Sequence, residues 1–170
     1  MKRAVILIAD DYQDLEVWYP LLRLREAGWQ VVTAGVDSKK NYRGKNGYPL
    51  VCDTTVEEIK ADDFDCVVIP GGWAPDYIRR NRVAVELVKQ LDSQKKVVAA
   101  ICHAGWVLTS ADIVRNRRCT SFSAIKDDLI HAGGKWVDEE VVVDDNLITS
   151  RKPDDLPAFC REILRVGKAG

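Results

Sequence analysis

The chain has 170 residues, enough for one domain that buries about 70% of its unfolded surface without disulfide or metal staples. Its 25 Lys and Arg against 26 Asp and Glu leave a net charge of −1, so nothing in the charge balance favours nucleic acid or an anionic membrane as partner. Five cysteines (Cys52, Cys66, Cys102, Cys119, Cys160) show no CxxC or other short paired spacing, and with no signal peptide or long apolar span in view this points to a reducing cytoplasm.

Residues 4–9 are an apolar run that reads as a strand, closed by Asp10-Asp11. A helical pattern then reaches Ala27-Gly28, with Leu15, Trp18 and Leu22, and Leu21 and Leu24, at helical spacings. Pro20 interrupts it, so the helix either kinks there or begins close before it. Residues 30–34 read as the next strand, and turn signals across 37–53, notably Asn46-Gly47, predict a small hairpin or excursion. Residues 64–69 are another buried strand, ending in Pro70-Gly71-Gly72. Asn81 suits the N-cap of a helix over 83–93, whose Val83, Ala84, Leu87, Val88 and Leu91 make one apolar stripe. Arg79-Arg80-Arg82 and Arg115-Arg117-Arg118 read as solvated helix ends in so neutral a chain. Further strands are expected at 118–121, 141–144 and 147–150, and Asp154-Asp155 gives a final helix the acidic first turn it prefers. Strands alternating with helices at this rhythm predict a doubly wound α/β sheet. No repeat, linker or low-complexity segment divides it, so one domain over 1–170 is expected. Only two histidines are present, and His131 sits beside Ala132-Gly133 at a helix end; neither a metal site nor a bound cofactor is expected.

The segment 97–106 carries the strongest chemical signal. An apolar, β-branched run, Val97 to Ile101, stops at Cys102 and enters a helix after small residues. Ala100 and Ala104 lie two residues either side of Cys102, the spacing of small residues at a nucleophile elbow. A thiol at that helix N-terminus is expected to be more acidic than free cysteine; the plain alternative is a buried, inert cysteine. In an open parallel sheet, ligands bind beyond the carboxyl ends of the strands. Three stretches leave at that edge: 10–16, 71–76 and 102–103. The backbone amides of Gly72 and His103 could form an oxyanion hole beside the thiol. Glu16 either serves the same edge or compensates a helix dipole. Asp76 is either a site residue or a turn residue after Pro75. Trp18, Trp73 and Trp106 wall an apolar pocket or belong to the core.

Taken together, Asp11-Tyr12-Gln13-Asp14-Leu15-Glu16 with Tyr19-Pro20, Ile69-Pro70-Gly71-Gly72-Trp73-Ala74-Pro75-Asp76 and Ala100-Ile101-Cys102-His103 resemble the ThiJ/PfpI superfamily, and its PfpI branch in particular. The resemblance continues through Asp127-Asp128, Ala132-Gly133, residues 138–144 and residues 149–157, so it spans the chain in order. It implies a flavodoxin-like three-layer sandwich with a mostly parallel central sheet and Cys102 as the nucleophile. It also implies that Glu16 gives the thiolate a carboxyl hydrogen bond, and that a buried, protonated carboxyl would serve. His103 is the partner histidine, and Asp76 holds the position of an acidic residue that reaches it from a neighbouring subunit, which would make the active form a homo-oligomer. Two departures stand out. Ala104-Gly105-Trp106 replaces the Gly-Pro of many relatives, and Asp76 is one methylene shorter than the Glu often found there. No histidine follows His131, which argues against amide transfer from glutamine.

The resemblance implies a cytoplasmic cysteine-dependent enzyme acting on methylglyoxal or glyoxal, or on their early protein adducts (a deglycase), in stress protection. An intracellular cysteine peptidase uses the same residues on peptide substrates. A redox-sensing stress chaperone, in which Glu16 stabilises an oxidised Cys102, is the reading from a different class.

Overall fold

The computed structural model describes residues 1–38 and 40–168. β1 (Arg3–Ile8) is buried along nearly all its length and feeds α1 (Asp14–Glu26), which returns the chain to β2 (Gln30–Gly35). Gln13 caps α1 by accepting from the Leu15 amide at 2.8 Å, and Asp14 and Glu16 put negative charge in its first turn. The helix starts at Asp14 and runs through Pro20 to Glu26. The proline forfeits the bond to the Glu16 carbonyl and is buried in exchange.

The turn-rich stretch after β2 is a hairpin, with β3 (Asn41–Arg43) and β4 (Pro49–Val51) antiparallel. Gly47 takes φ +92° in its turn, a left-handed backbone that glycine adopts without strain. β5 (Thr54–Thr55) then adds a short edge strand beside β2, too brief to leave a pattern in the sequence.

β6 (Cys66–Ile69) is followed by α2 (Ala74–Ile78), α3 (Arg82–Ser93) and β7 (Val97–Ile101). Asn81 caps α3, its Oδ1 accepting from the Ala84 amide at 3.0 Å. Ala84, Leu87, Val88 and Leu91 form the buried stripe of that helix. Val83, placed on the stripe by spacing, is 45% exposed in the first turn and lines an open groove with Ile59 and Lys60. The last part of the chain holds α4 (Gly105–Ser110), β8 (Arg118–Cys119), α5 (Lys126–His131), β9 (Lys135–Trp136), β10 (Val141–Asp144), β11 (Leu147–Ser150) and α6 (Leu156–Lys168). β8 is shorter than the pattern over 118–121 suggests and pairs only with β9, outside the main sheet. Beyond it, the Thr120 amide donates to the Thr149 hydroxyl at 2.9 Å instead of to a strand.

The main sheet has the order β10-β11-β7-β6-β1-β2-β5, parallel except for the β10–β11 hairpin. From β1 the chain steps one way to β2 and later returns to β6 on the other side. Right-handed crossovers then place α1 and α3 on opposite faces. α1 packs with α6 on one face, and α2, α3 and α4 pack together on the other, giving three layers of flavodoxin-like type. The change of direction between β1 and β6 opens a crevice beyond their carboxyl ends.

Candidate active site

Loops leaving β1, β6 and β7 meet in that crevice. β7 is buried throughout, and the next residue, Cys102, takes φ +63°. A side-chain-bearing residue holds this backbone only under strain, as a nucleophile elbow requires. Ala100 and Ala104 are buried on either side. Cys102 is 8% exposed and opens onto a cavity of about 330 Å³ whose lining includes Glu16, Gly72, His103, Lys45 and Phe122.

Glu16 comes from the first turn of α1 and is fully buried. Its Oε2 accepts from the Gly71 amide at 2.7 Å, while Oε1 is buried with no hydrogen-bond partner among the described residues. Gly71 is what lets the carboxyl approach the thiol. A Cβ there would lie 2.5 Å from Glu16 Oε2 and 2.6 Å from Cys102 Cβ. Burial pushes the Glu16 carboxyl up to about 7, against the pull of the Gly71 amide, the Lys45 charge and the Cys102 thiol. A carboxyl with that value is about half protonated at neutral pH.

The thiol itself corrects the sequence-based expectation. Burial first, and the charge of an ionised Glu16 second, push Cys102 up to about 12. The amides of Gly72 and His103 and the Lys45 charge pull it back. The helix after the elbow supplies little dipole, because a tight turn over Cys102–Ala104 precedes an α4 of only six residues. Protonating Glu16 removes the repulsion, so thiol and carboxyl compete for a proton.

His103 Nδ1 lies 3.2 Å from Cys102 Sγ, a contact that adjacency in sequence does not establish. Burial and the Lys45 charge hold the imidazole below its usual range, so it is neutral at neutral pH. Its ring stacks on Phe122 at 5.1 Å between centroids and meets Trp106 edge-on at 5.4 Å. The Phe122 amide donates to the Cys102 carbonyl at 3.1 Å, which ties that loop to the elbow.

Gly72 takes φ +71° against the β1–α1 loop, where a Cβ would overlap the backbone of Asp11 and Gln13. Asp76 is apart from this group: its carboxylate pairs with Arg80 one turn along, and it is not among the cavity's lining residues. Of the three tryptophans, Trp73 lines the cavity and is 50% exposed, and Trp106 touches both Trp73 and His103. Trp18 lies elsewhere, edge-on to Tyr48 at 5.2 Å. Sequence reasoning did not single out Lys45, Phe122 and Lys152, which line the cavity: the turn signal around Asn46-Gly47 and the resemblance over 149–157 mark their segments but not where these side chains go. Among the described residues, no group of three or more His, Cys, Asp and Glu side chains is arranged to hold a metal ion, and no helix is long and apolar enough to cross a membrane.

A model of the DJ-1/PfpI family matches residues 2–166. The chain is similar to a deglycase of Pyrococcus abyssi, 46% identical over 98% of this chain and 99% of that one. It is also similar to a Bacillus subtilis protein with a provisional cysteine-protease name, 39% identical over 98% of this chain and 99% of the relative. Among solved structures, a two-domain protein of Anabaena variabilis with DJ-1/ThiJ/PfpI-like and ferritin-like domains superposes with a TM-score of 0.95 at 43% identity. That match covers 97% of this chain and 48% of the larger one.

Proposed function

Because the chain belongs to the DJ-1/PfpI family, we propose that it is a PfpI-type deglycase that uses Cys102 to hydrolyse early methylglyoxal and glyoxal adducts on thiol and amine groups. The observation that carries this reading is the strained Cys102 with His103 Nδ1 at 3.2 Å and a half-protonated, fully buried Glu16 beside it. A structural cysteine needs none of these.

In this reading the adduct's hemithioacetal or hemiaminal carbon collapses to an aldehyde and releases its thiol or amine with a proton; the neutral His103 or the Glu16 carboxylate then takes the Cys102 proton, and Sγ attacks that aldehyde carbon. The C–S bond forms as the carbonyl π electrons move onto oxygen, and the amides of Gly72 and His103 receive that charge. The same His103–Glu16 pair moves the proton from that carbon to the neighbouring carbonyl carbon through an enediol, so one carbon is oxidised to a thioester as the other is reduced to a carbinol, and water cleaves the thioester to the hydroxy acid and the Cys102 thiol. The cavity of about 330 Å³ suits a small adduct better than an extended peptide. All five cysteines are free and buried, which accords with work in a reducing cytoplasm. Within one chain Asp76 pairs with Arg80; its part in the proposed site is in a homo-oligomer, where Asp76 of one copy approaches His103 of another.

The test is methylglyoxal consumption with lactate detection, without glutathione, alongside adduct hydrolysis, for wild type and Cys102→Ser. Lactate and freed thiol from wild type alone support the reading. A folded, alkylatable protein that forms neither contradicts it and shifts the assay to peptide substrates, then to oxidation of Cys102.

A further inference from the structure

Beyond its reacting carbon, what a substrate carries in this cavity is met by the rest of the lining, and first by Lys45. It lies between β3 and β4, in the turn of the hairpin, and lines the cavity from outside the three loops that build the elbow. Its charge lowers the pKa of Glu16, Cys102 and His103 alike, so it acts on all three reacting groups. No carboxylate pairs with it among the described residues. Lys152, the other lysine of the cavity, has Asp154 at 3.4 Å. Among the described residues, the one acidic side chain in the lining is Glu16.

The turn that carries this lysine is anchored by a buried carboxylate. Asp14, 9% exposed, accepts from the Asn46 amide at 3.0 Å, the Asn46 side chain at 3.0 Å and the Tyr48 amide at 3.1 Å. A Cβ on Gly44 would overlap that carboxylate, so glycine stands beside Lys45 of necessity. The Lys45 amide donates to the Tyr12 carbonyl at 2.9 Å, in the same loop that leads to Glu16. A buried carboxylate with three hydrogen bonds thus fixes the turn over the nucleophile, and the turn presents an unpaired cation there.

We infer that Lys45 makes this site selective for substrates carrying an anionic group, such as a carboxylate, close to the reacting carbon. A thiol or amino-acid adduct with a free carboxylate fits this chemistry; the same adduct inside a peptide chain, its carboxyl converted to an amide, does not. The inference rests on Cys102 being the reacting thiol, and for turnover on the deglycase reading.

Two alkylating agents of nearly the same shape separate the charge effect from catalysis. Iodoacetate is an anion and iodoacetamide is neutral, and each transfers a carbon to Sγ with loss of iodide. Any change in the thiolate fraction affects both rates equally, so their ratio reads the local field alone. With the full chain at low salt, and Cys102→Ser as background, the iodoacetate-to-iodoacetamide ratio is expected to fall about fivefold in Lys45→Met and to be retained in Lys45→Arg. In wild type the ratio should fall as salt is added, a readout that needs no variant. A ratio that moves less than about twofold in Lys45→Met, or that ignores salt in wild type, overturns the proposal. The companion assay compares the methylglyoxal adduct of N-acetylcysteine with that of its methyl ester: wild type should show the lower KM for the acid, and Lys45→Met should equalise the two. If the alkylation ratio behaves as expected while neither adduct is hydrolysed, the deglycase reading fails and the charge selection stands. Hydrolysis of both adducts with equal KM in wild type overturns the selection and leaves the deglycase reading in place.

Discussion

Two clusters of partly buried charge occupy different edges of the same sheet, and they are finished in opposite ways. At the amino ends of β7 and β11, Arg117 donates to Asp92 at 2.7 Å, to the Asp144 carbonyl at 2.6 Å and to Asn146 at 2.9 Å. Asn146, 3% exposed, in turn donates to Asp92 and to the Lys96 carbonyl. Every member has a partner, and the cluster ties α3, β7 and the β10–β11 hairpin together. At the carboxyl ends, Glu16 leaves one buried oxygen without a hydrogen-bond partner among the described residues, Cys102 holds a strained backbone, and Lys45 lines the cavity with no carboxylate in ion-pair contact among the described residues. Charge that is fully answered is scaffold; charge that is left unanswered at a cavity is available to a ligand.

The sharpest break between the two comes from single substitutions. Cys102→Ser should lower adduct hydrolysis by about 10³-fold or more while the melting temperature stays near wild type. Arg117→Ala should do the reverse. Removing it leaves Asp92 with Asn146 and Asp144 with the Arg118 amide but takes the cation from both, at an expected cost of about 2 kcal/mol in chemical denaturation, with the alkylation rate of Cys102 little changed.

Glu16→Gln sharpens the contrast through pH. The Glu16 carboxyl sits at about 7 in the folded protein against an ordinary 4.5, so between those values the folded state binds more protons than the unfolded one. Stability contributed by this site therefore falls as pH rises from about 4.5 to 7 and is flat above. The lost amount is about 3 kcal/mol. Glu16→Gln should abolish that slope and be more stable than wild type at pH 8, as measured by denaturant midpoints on both sides of the window. An unchanged slope would mean that the carboxyl is not held protonated by burial.

The smallest effect is expected at Asp76. Its pair with Arg80 is an exposed one-turn ion pair and contributes less than about 1 kcal/mol. Asp76→Ala should therefore leave stability almost unchanged and lower turnover roughly tenfold through His103 of the neighbouring copy. A turnover equal to wild type would remove Asp76 from the site.

How much of this is legible in the sequence depends on how far each contact reaches along the chain. The sheet and the elbow are local matters: buried strands, a run of small residues and an N-cap at Asn81 can be read within a few positions. Glu16 and Gly71 are linked across loops from different strands, and only the resemblance to a known family joins them. The Sγ–Nδ1 contact depends on the backbone angles of the elbow, which adjacency does not disclose. Lys45 gives no signal at all, because its place over the thiol is set by Asp14 in another element. The thiol departs from the acidity its helix terminus suggests for the same reason: the terminus is local, whereas burial and the Glu16 charge are not. Arg117 differs from the solvated helix end its cluster suggests, since its partners lie in α3 and the β10–β11 hairpin.

If Glu16 and Cys102 share a proton at the elbow, the pH dependence of Cys102 alkylation by iodoacetamide carries two titrations. For wild type the rate should rise through about pH 7 as the pair loses its first proton, level off, and rise again toward the high value set by burial. In Glu16→Gln the first rise should vanish and leave one titration. A wild-type profile with one titration of the thiol, unchanged by Glu16→Gln, would contradict the shared proton.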